Sequence, residues 1–272
     1  MAALYIVGTP IGNLEDITLR ALRVLKEVDL IAAEDTRHTG ILLNKYSIKK
    51  PLTSYHKFNI KEKTEHLVST VRSGKSVALV SDAGMPGISD PGYELIVEAL
   101  KKGVEVVPVP NTSALLVALS ASGINTDRFV FEGFLPVKTG DRKKRLERLK
   151  TEERTIVFYE APHRLIKTLT DLQSAIGDRN ICVARELTKK FEEFSRGSIS
   201  DQISKFSKSK PKGEFVVVVE GGQGEPKRDT GDANILMAEL LKAGISQKDT
   251  VKIVSNYTKI PKNKLYKLAL NL

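Results

Sequence analysis

The chain has 272 residues, 41% of them hydrophobic, and a single cysteine; this is long for one domain and excludes an internal disulfide. Lys and Arg number 43 against 33 Asp and Glu, a formal charge of +10 of the kind expected for a partner made of phosphates. No apolar run approaches the roughly 18 residues of a membrane helix. The start, MAALYIVGTP, has no basic stretch ahead of its apolar run, so a cytoplasmic protein without a signal peptide is expected.

The first 132 residues alternate short β-branched runs with helical patterns. LYIVG (4–8) predicts a strand, ITLRALRVLKEV (17–28) a helix, LIAAE (30–34) a strand and PLTSY (51–55) a weaker one. A helix is predicted over 60–72, a strand at SVALVS (76–81), a helix at YELIVEALKKG (93–103) closed by Gly103, and a strand at VEVVPVP (104–110). SALLVALSAS (113–122) predicts a helix, preceded by the capping residues Asn111 and Thr112. Such alternation predicts a parallel sheet with right-handed crossovers.

After RFVFEGFLP (128–136) comes a basic helix. Residues 138–154, KTGDRKKRLERLKTEER, hold eight bases and four acids. TIVFYE (155–160), NICVARE (180–186) and EFVVVVEGG (214–222) predict strands, with a helix at 164–176. KFSKSKPK (205–212) holds four bases and no acid and approaches low complexity. A Gly/Pro/charge linker at 222–232 leads to a tail of three short helices. The expected division is an α/β domain over 1–132, a second over 133–222, and a linker with a small helical tail over 223–272.

Ligands of open parallel sheets bind beyond the carboxyl ends of the strands. There the chain places GTPIGNLED (8–16), EDTRHTG (34–40), SYHKFN (54–59), SDAGMPGISDPG (81–92) and PNTS (110–113). The fourth segment, with three glycines, two prolines and two aspartates, is too elaborate for a minimal βα connection, although turns favour these residue types in any case. The phosphate-binding pattern G-x-x-x-x-G-K-[ST] is absent, and GTPIGN is not the dinucleotide pattern G-x-G-x-x-G. The histidines 38, 56, 66 and 163 have no metalloprotease spacing, so no metal site is expected. Cys182 sits in an apolar strand and reads as core.

GTPIGNLEDITLRALRVLKEVDLIAAEDTRHTGILL, SDAGMPGISDPGYELI, ASGINTDRFVFEGFLP, FYEAPHR and ARELTKKFEEF together resemble the tetrapyrrole-methylase-like superfamily. Within it they are similar to the bacterial 16S rRNA (cytidine-2′-O)-methyltransferases, almost continuously from Leu4 to Gly222. The resemblance implies two α/β domains with S-adenosylmethionine held in the cleft between them, and no metal. It also implies a homodimer acting on a decoding-centre cytidine of 16S rRNA in the small ribosomal subunit. Pro10, Ile11, Gly12, Asp82, Gly84, Ile88, Ser113 and Ala114 would meet the cofactor from the first domain. Tyr159, Leu187, Gly213 and Glu214 would close over it from the second. Where family members usually read Pro-Gly-Pro-Ser-Ala, this chain has Pro110-Asn111-Thr112-Ser113-Ala114.

Methyl transfer to a ribose hydroxyl calls for in-line approach and a proton acceptor. Glu34, Asp35 and His56 lie at the binding edge and are the candidate bases, with Glu160 and His163 as candidates across the cleft. Arg37, Arg164 and Arg185 suit phosphate contact, as does the cluster Arg142, Lys143, Lys144 and Arg145; the competing reading of each is a cap, a salt bridge or a solvated face. A small-molecule tetrapyrrole methylase, a diphthine-synthase-like protein methylase and a non-catalytic RNA-binding module remain alternatives.

Overall fold

Leu4–Val7 (β1) is an interior strand of a five-stranded sheet in the computed structural model, which describes residues 2–222, 230–258 and 260–269. Its neighbours are Val77–Val80 (β4) and Val106–Val109 (β5), with Leu4 level with Val77 and Val106. Leu30–Ala33 (β2) pairs β4, and Leu52–Ser54 (β3) closes the far edge, giving the order β3-β2-β4-β1-β5 with every pairing parallel. Pro108, which has no N–H to donate, is tolerated because β5 is an edge strand.

The strand residues alternate between two cores. Ala78 and Val80 point into one with Ala21, Val24 and Leu25 of the helix Leu19–Glu27 (α1) and Leu42 and Leu43 of Thr36–Lys45 (α2). Val77 and Leu79 point into the other with Leu67, Val68 and Val71 of Ile60–Arg72 (α3) and Leu95 and Ala99 of Tyr93–Lys101 (α4). Burial on both faces is why these strands are almost wholly apolar. The expected strands and helices of this half are all present. The addition is α2: the segment 34–40, read as a loop, enters this helix at Thr36, with the Asp35 side chain accepting from the Arg37 N–H at 2.8 Å as its N-cap.

The helix Ala114–Ala121 (α5) leaves the first sheet and packs on the second. Its Leu115, Ala118 and Leu119 are buried with Val157, Cys182, Ala184, Val216 and Val218. That sheet contains Phe129–Phe134 (β6), Thr155–Glu160 (β7), Asn180–Arg185 (β8), Glu193–Ser198 (β9) and Phe215–Val219 (β10), in the order β6-β7-β10-β8-β9. Only β6 and β7 run parallel. Its other face is covered by Thr139–Arg148 (α6), Leu165–Ile176 (α7) and Ile199–Ser207 (α8). β9 and α8 were not expected; α8 starts with a reciprocal cap between Ser198 and Asp201.

Both sheets belong to one compact unit, Met1–Gly221, and Gly222–Leu272 forms another. Within the latter, Thr230–Lys242 (α9), Gln247–Thr258 (α10) and Lys262–Ala269 (α11) gather around Ala233, Met237, Val251, Val254 and Leu265. Most of the expected linker, 223–229, lies outside the described residues. Among those described, no helix is long and apolar enough to cross a membrane.

Candidate active site

Beyond the carboxyl ends of the first sheet's strands lies a cavity of about 420 Å³, the size of a small-molecule site. The first sheet's loops contribute Ile11, Glu34, Asp82, Gly84, Ile88, Asp90, Ser113 and Ala114 to its wall. Tyr159 and Glu160 at the end of β7, Leu187 after β8, and Gly213 and Glu214 before β10 form the opposite side. Of the residues expected to face the cofactor, all but Pro10 and Gly12 line this cavity. Pro10 borders a smaller recess with His38, Thr39 and Asp82.

Backbone pairing fixes the loops of the first sheet. Thr9 and Gly84 exchange N–H···O bonds of 2.9 and 3.0 Å, and the Thr9 hydroxyl donates to the Ser81 carbonyl at 3.0 Å. Gly84 holds φ +79°, a left-handed conformation that favours glycine. Asn111 donates from Nδ2 to the Gly8 carbonyl at 2.9 Å, while its Oδ1 accepts the Thr112 N–H at 2.8 Å. The residue that departs from the usual family sequence thus ties the fifth-strand turn to the first.

On the far wall, Glu186 and Thr188 both have positive φ, 50° and 62°, and between them Leu187 is presented to the cavity. Lys189 Nζ donates to Glu186 Oε1 at 3.1 Å and to Glu214 Oε2 at 2.9 Å, and the Glu214 N–H reaches Glu186 Oε1 at 3.0 Å. Gly12 packs against this turn: a Cβ there would lie 2.5 Å from Lys189 Cγ and 3.0 Å from the Leu187 carbonyl. Its role in the structure is to let two loops approach.

Three of the cavity's carboxylates, Glu34, Asp82 and Asp90, come from the first sheet's loops. Asp82 Oδ1 accepts the Asp35 N–H at 3.0 Å. Burial, then the neighbouring Asp82, pushes the Glu34 carboxyl up. Burial, then Glu34 and Asp82, pushes Asp90 up to about 7, partly offset by the Ser81 hydroxyl. Burial also raises the Tyr159 phenol, against hydrogen bonds with Leu115 and Ser113. Among the described residues no group of His, Cys, Asp and Glu is arranged to hold a metal.

The three candidate bases part company. Glu34 lines the cavity. Asp35 is bound to the Arg37 guanidinium at 2.6 and 3.1 Å, which holds its carboxyl well below the usual carboxylate range and leaves it a cap and ion-pair partner. His56 is outside the cavity wall, though near enough to act electrostatically on Glu34. Its Nδ1 is buried without a hydrogen-bond partner. Across the cleft, Glu160 is consumed by its surroundings, accepting from the Ala161 N–H at 2.8 Å and the Thr168 hydroxyl at 2.6 Å. Asp90 also lines the cavity, and nothing in its spacing along the chain separates it from the other loop residues.

The expected phosphate contacts also divide. Arg142 is 2% exposed and paired with Asp171 of α7, which corrects its assignment to the basic surface: it shares the inward stripe of α6 with Leu146. Arg164 is likewise turned inward, donating to the carbonyls of Leu135 and Pro136 at 2.7 and 3.3 Å, with Nε 3.2 Å from Glu160. Arg145 pairs with Glu132, and Arg185 lies 3.5 Å from Glu193. Lys143 and Lys144 are exposed, as is Arg37 despite its bond to Asp35.

Residues 3–202 match the family described as Tetrapyrrole (Corrin/Porphyrin) Methylases. A protein of Synechocystis named Ribosomal RNA small subunit methyltransferase I is 48% identical over 100% of this chain and 99% of its own. Proteins of the same name are 55% identical in Thermotoga maritima, over 81% of this chain and 99% of theirs, and 46% identical in Bacillus subtilis, over 98% and 93%. The fold is similar to uroporphyrin-III C-methyltransferase of Thermus thermophilus, with a TM-score of 0.58 and 21% identity over 80% of this chain and 94% of that one. A cobalt-precorrin-4 methyltransferase gives a TM-score of 0.60 and 20% identity, over 80% and 95%. The chain belongs to the tetrapyrrole (corrin/porphyrin) methylase family, in the branch of the ribosomal RNA small subunit methyltransferase I proteins, and its cofactor is S-adenosylmethionine.

Proposed function

We propose that this protein methylates the 2′-hydroxyl of a cytidine ribose in the decoding centre of 16S ribosomal RNA, as a cytoplasmic homodimer. The observation that carries the reading is the 48% identity, along the whole chain, to a relative named for small-subunit ribosomal RNA. The formal charge of +10 and the exposed Lys143 and Lys144 support an RNA substrate.

The cavity's chemistry suits the cofactor. Glu34, Asp82 and Asp90 offer negative charge to a cation, and Ile11, Ala114 and Leu187 offer apolar wall to a nucleoside. Gly213, at φ +94° and with no room for a Cβ beside Glu186, brings backbone to the ligand's edge. S-adenosylmethionine, when bound, supplies an electrophilic methyl group on a positively charged sulfur. The residues of the chain orient the two reactants, a contribution that falls away with small misplacements, and the carboxylates complement the cofactor's positive charge, which serves binding and not the transfer step, in which that charge is lost. Lys143, Lys144 and Arg37 would hold the RNA backbone.

The test offers the purified protein labelled S-adenosylmethionine with 16S rRNA, small ribosomal subunits or uroporphyrinogen III. Label at a cytidine 2′-oxygen of 16S rRNA, located by methylation-sensitive mapping, is expected. Label on the tetrapyrrole alone would make the protein a small-molecule methylase.

A further inference from the structure

We propose that Phe58, at the tip of the turn between β3 and α3, is a platform on which an unpaired base of the RNA substrate stacks, with Lys57 meeting that nucleotide's phosphate. This role rests on the RNA-methylating reading above and deepens it, because it places the RNA beside the cavity.

The tip follows the carboxyl end of β3, the sheet edge at which the cavity opens. Tyr55 anchors it. That residue is buried, its N–H donates to the Ala33 carbonyl at 2.7 Å, and its hydroxyl bonds Thr64 of α3 at 3.0 Å. Ala33 precedes the cavity residue Glu34, and Lys57 and His56 both lie near enough to Glu34 to act on it electrostatically. Arg37 interacts with Asp82 in the same way. Cations therefore rim the acidic part of the wall. An RNA chain brought up to carboxylates is repelled unless positive charge stands between them.

The turn is fixed before anything binds. Asn59 Oδ1 accepts the His56 N–H at 2.9 Å, and Asn59 Nδ2 donates to the carbonyl and hydroxyl of Ser54 at 3.2 and 3.1 Å. The Asn59 N–H donates in turn to the His56 carbonyl at 2.9 Å. Phe58 contributes nothing to this closure and is 85% exposed. Its ring meets His56 edge-on, with 6.0 Å between centroids, and Lys57 Nζ lies 4.9 Å from its centre.

A lone exposed apolar side chain is ordinary. Phe58 differs in its company: the ring is held out on a pinned turn among cations, beside a methyl-transfer cavity. Within 54–59 it is the one exposed apolar side chain. A membrane or a protein partner calls for a wider apolar face, whereas one ring suffices for one base, and any base offers a face to stack on.

The chain has no tryptophan, so Phe58→Trp puts a single indole fluorophore at the tip. Full-length wild type, Phe58→Trp, Phe58→Ala, Lys57→Gln and Leu100→Ala are compared for binding to 16S rRNA and to small subunits over a salt series. Cofactor affinity is read by calorimetry and mass in solution by light scattering. Phe58→Ala should weaken RNA binding by about five- to 150-fold with the salt slope unchanged, since stacking releases no counterions. Lys57→Gln should lower that slope by about 0.7. Phe58→Trp should bind as wild type does, with its fluorescence quenched by the RNA. Leu100→Ala trims an exposed side chain at the end of α4, away from the cavity edge, and should bind normally. Cofactor affinity and mass should match wild type throughout. Wild-type RNA affinity in Phe58→Ala, or an unquenched Phe58→Trp, would overturn the stacking role. A change of mass in Phe58→Ala would overturn it too, by making the ring a contact between copies of the chain. An unchanged slope in Lys57→Gln would strike out the phosphate contact. A wild type that binds neither RNA nor subunit overturns the functional reading itself.

Discussion

Arg142 donates from Nε and Nη2 to one oxygen of Asp171, at 2.9 and 2.6 Å, and from Nη1 to the Val137 carbonyl at 3.0 Å. The pair fastens α6 to α7 from inside. Removing one partner of a buried ion pair leaves an uncompensated charge and costs about 3–5 kcal/mol. Arg142→Ala is therefore expected to lower stability by that order in urea unfolding.

The exposed neighbours should behave in the opposite way. Lys143→Glu with Lys144→Glu should leave stability within about 0.5 kcal/mol per site while weakening RNA binding and flattening its salt dependence. Each lost contact with single-stranded phosphate removes about 0.7 from the slope of log K against log salt. A filter-binding series from low to high salt checks this, and an unchanged slope would make α6 a solvated face.

The raised carboxyl of Asp90 fixes the sign of a pH effect on stability. Its folded value is about 7 against an ordinary 3.8, so the folded state holds this proton more tightly than the unfolded chain does. The contribution is fully present below about pH 4 and is lost as pH rises through 7. Asp90→Asn, a neutral mimic of the protonated acid, should gain on wild type in thermal melts between pH 4 and 7 and keep a constant lead above that. A difference independent of pH would mean that the carboxyl titrates alike in the folded and unfolded chain. Glu34→Gln should follow the same direction, since burial and Asp82 raise Glu34 too.

Why the sequence foretells one part of this site and not another is clear at particular residues. The strands β1, β2 and β4 are legible because both faces are buried, which leaves LYIV, LIAA and VALV unbroken by polar residues. β9 reads EFSRGS; an edge strand needs little apolar content, and its pairing with β8 leaves no mark in its composition. The first turn of α2 is polar because Asp35 is its cap, while its buried Thr39, Leu42 and Leu43 carry the helical spacing further on. A charged residue on an inward stripe, such as Arg142, is invisible to hydrophobic patterning, although its four-residue offset from Leu146 holds the hint. Most of the cavity wall was legible through the family resemblance. The ranking of its carboxylates was not, because burial and mutual repulsion arise only once separate loops meet.

Gly12 offers a test of how the two walls are spaced. A side chain there meets the flexible stem of Lys189 and, less forgivingly, the Leu187 carbonyl. Gly12→Val should displace the turn that carries Leu187 and weaken S-adenosylmethionine binding by about tenfold, which is roughly 1.4 kcal/mol. Gly140→Ala is the control: it lies in α6 with open space at its Cβ and should stabilise by about 0.5–1 kcal/mol without altering affinity. Equal calorimetric affinities for Gly12→Val and wild type would show that the loops part without consequence for the cavity.

Asn111 separates two hydrogen bonds that share one side chain. Its Nδ2 donates to Gly8, which begins the loop leading through Thr9 to the cavity residue Ile11, and its Oδ1 only closes the local turn on Thr112. Asn111→Ala loses both. Asn111→Asp keeps the acceptor for the Thr112 N–H but replaces the donor with an oxygen that repels the Gly8 carbonyl. If the bond to Gly8 positions the loop, Asn111→Asp should bind S-adenosylmethionine at least as poorly as Asn111→Ala. Both should fall about five- to tenfold below wild type, the equivalent of one net hydrogen bond of about 1–1.5 kcal/mol. Wild-type affinity in Asn111→Asp with a loss in Asn111→Ala would instead assign the effect to the Thr112 turn. The comparison isolates one donor, because the two replacements differ in the oxygen that each leaves facing Thr112.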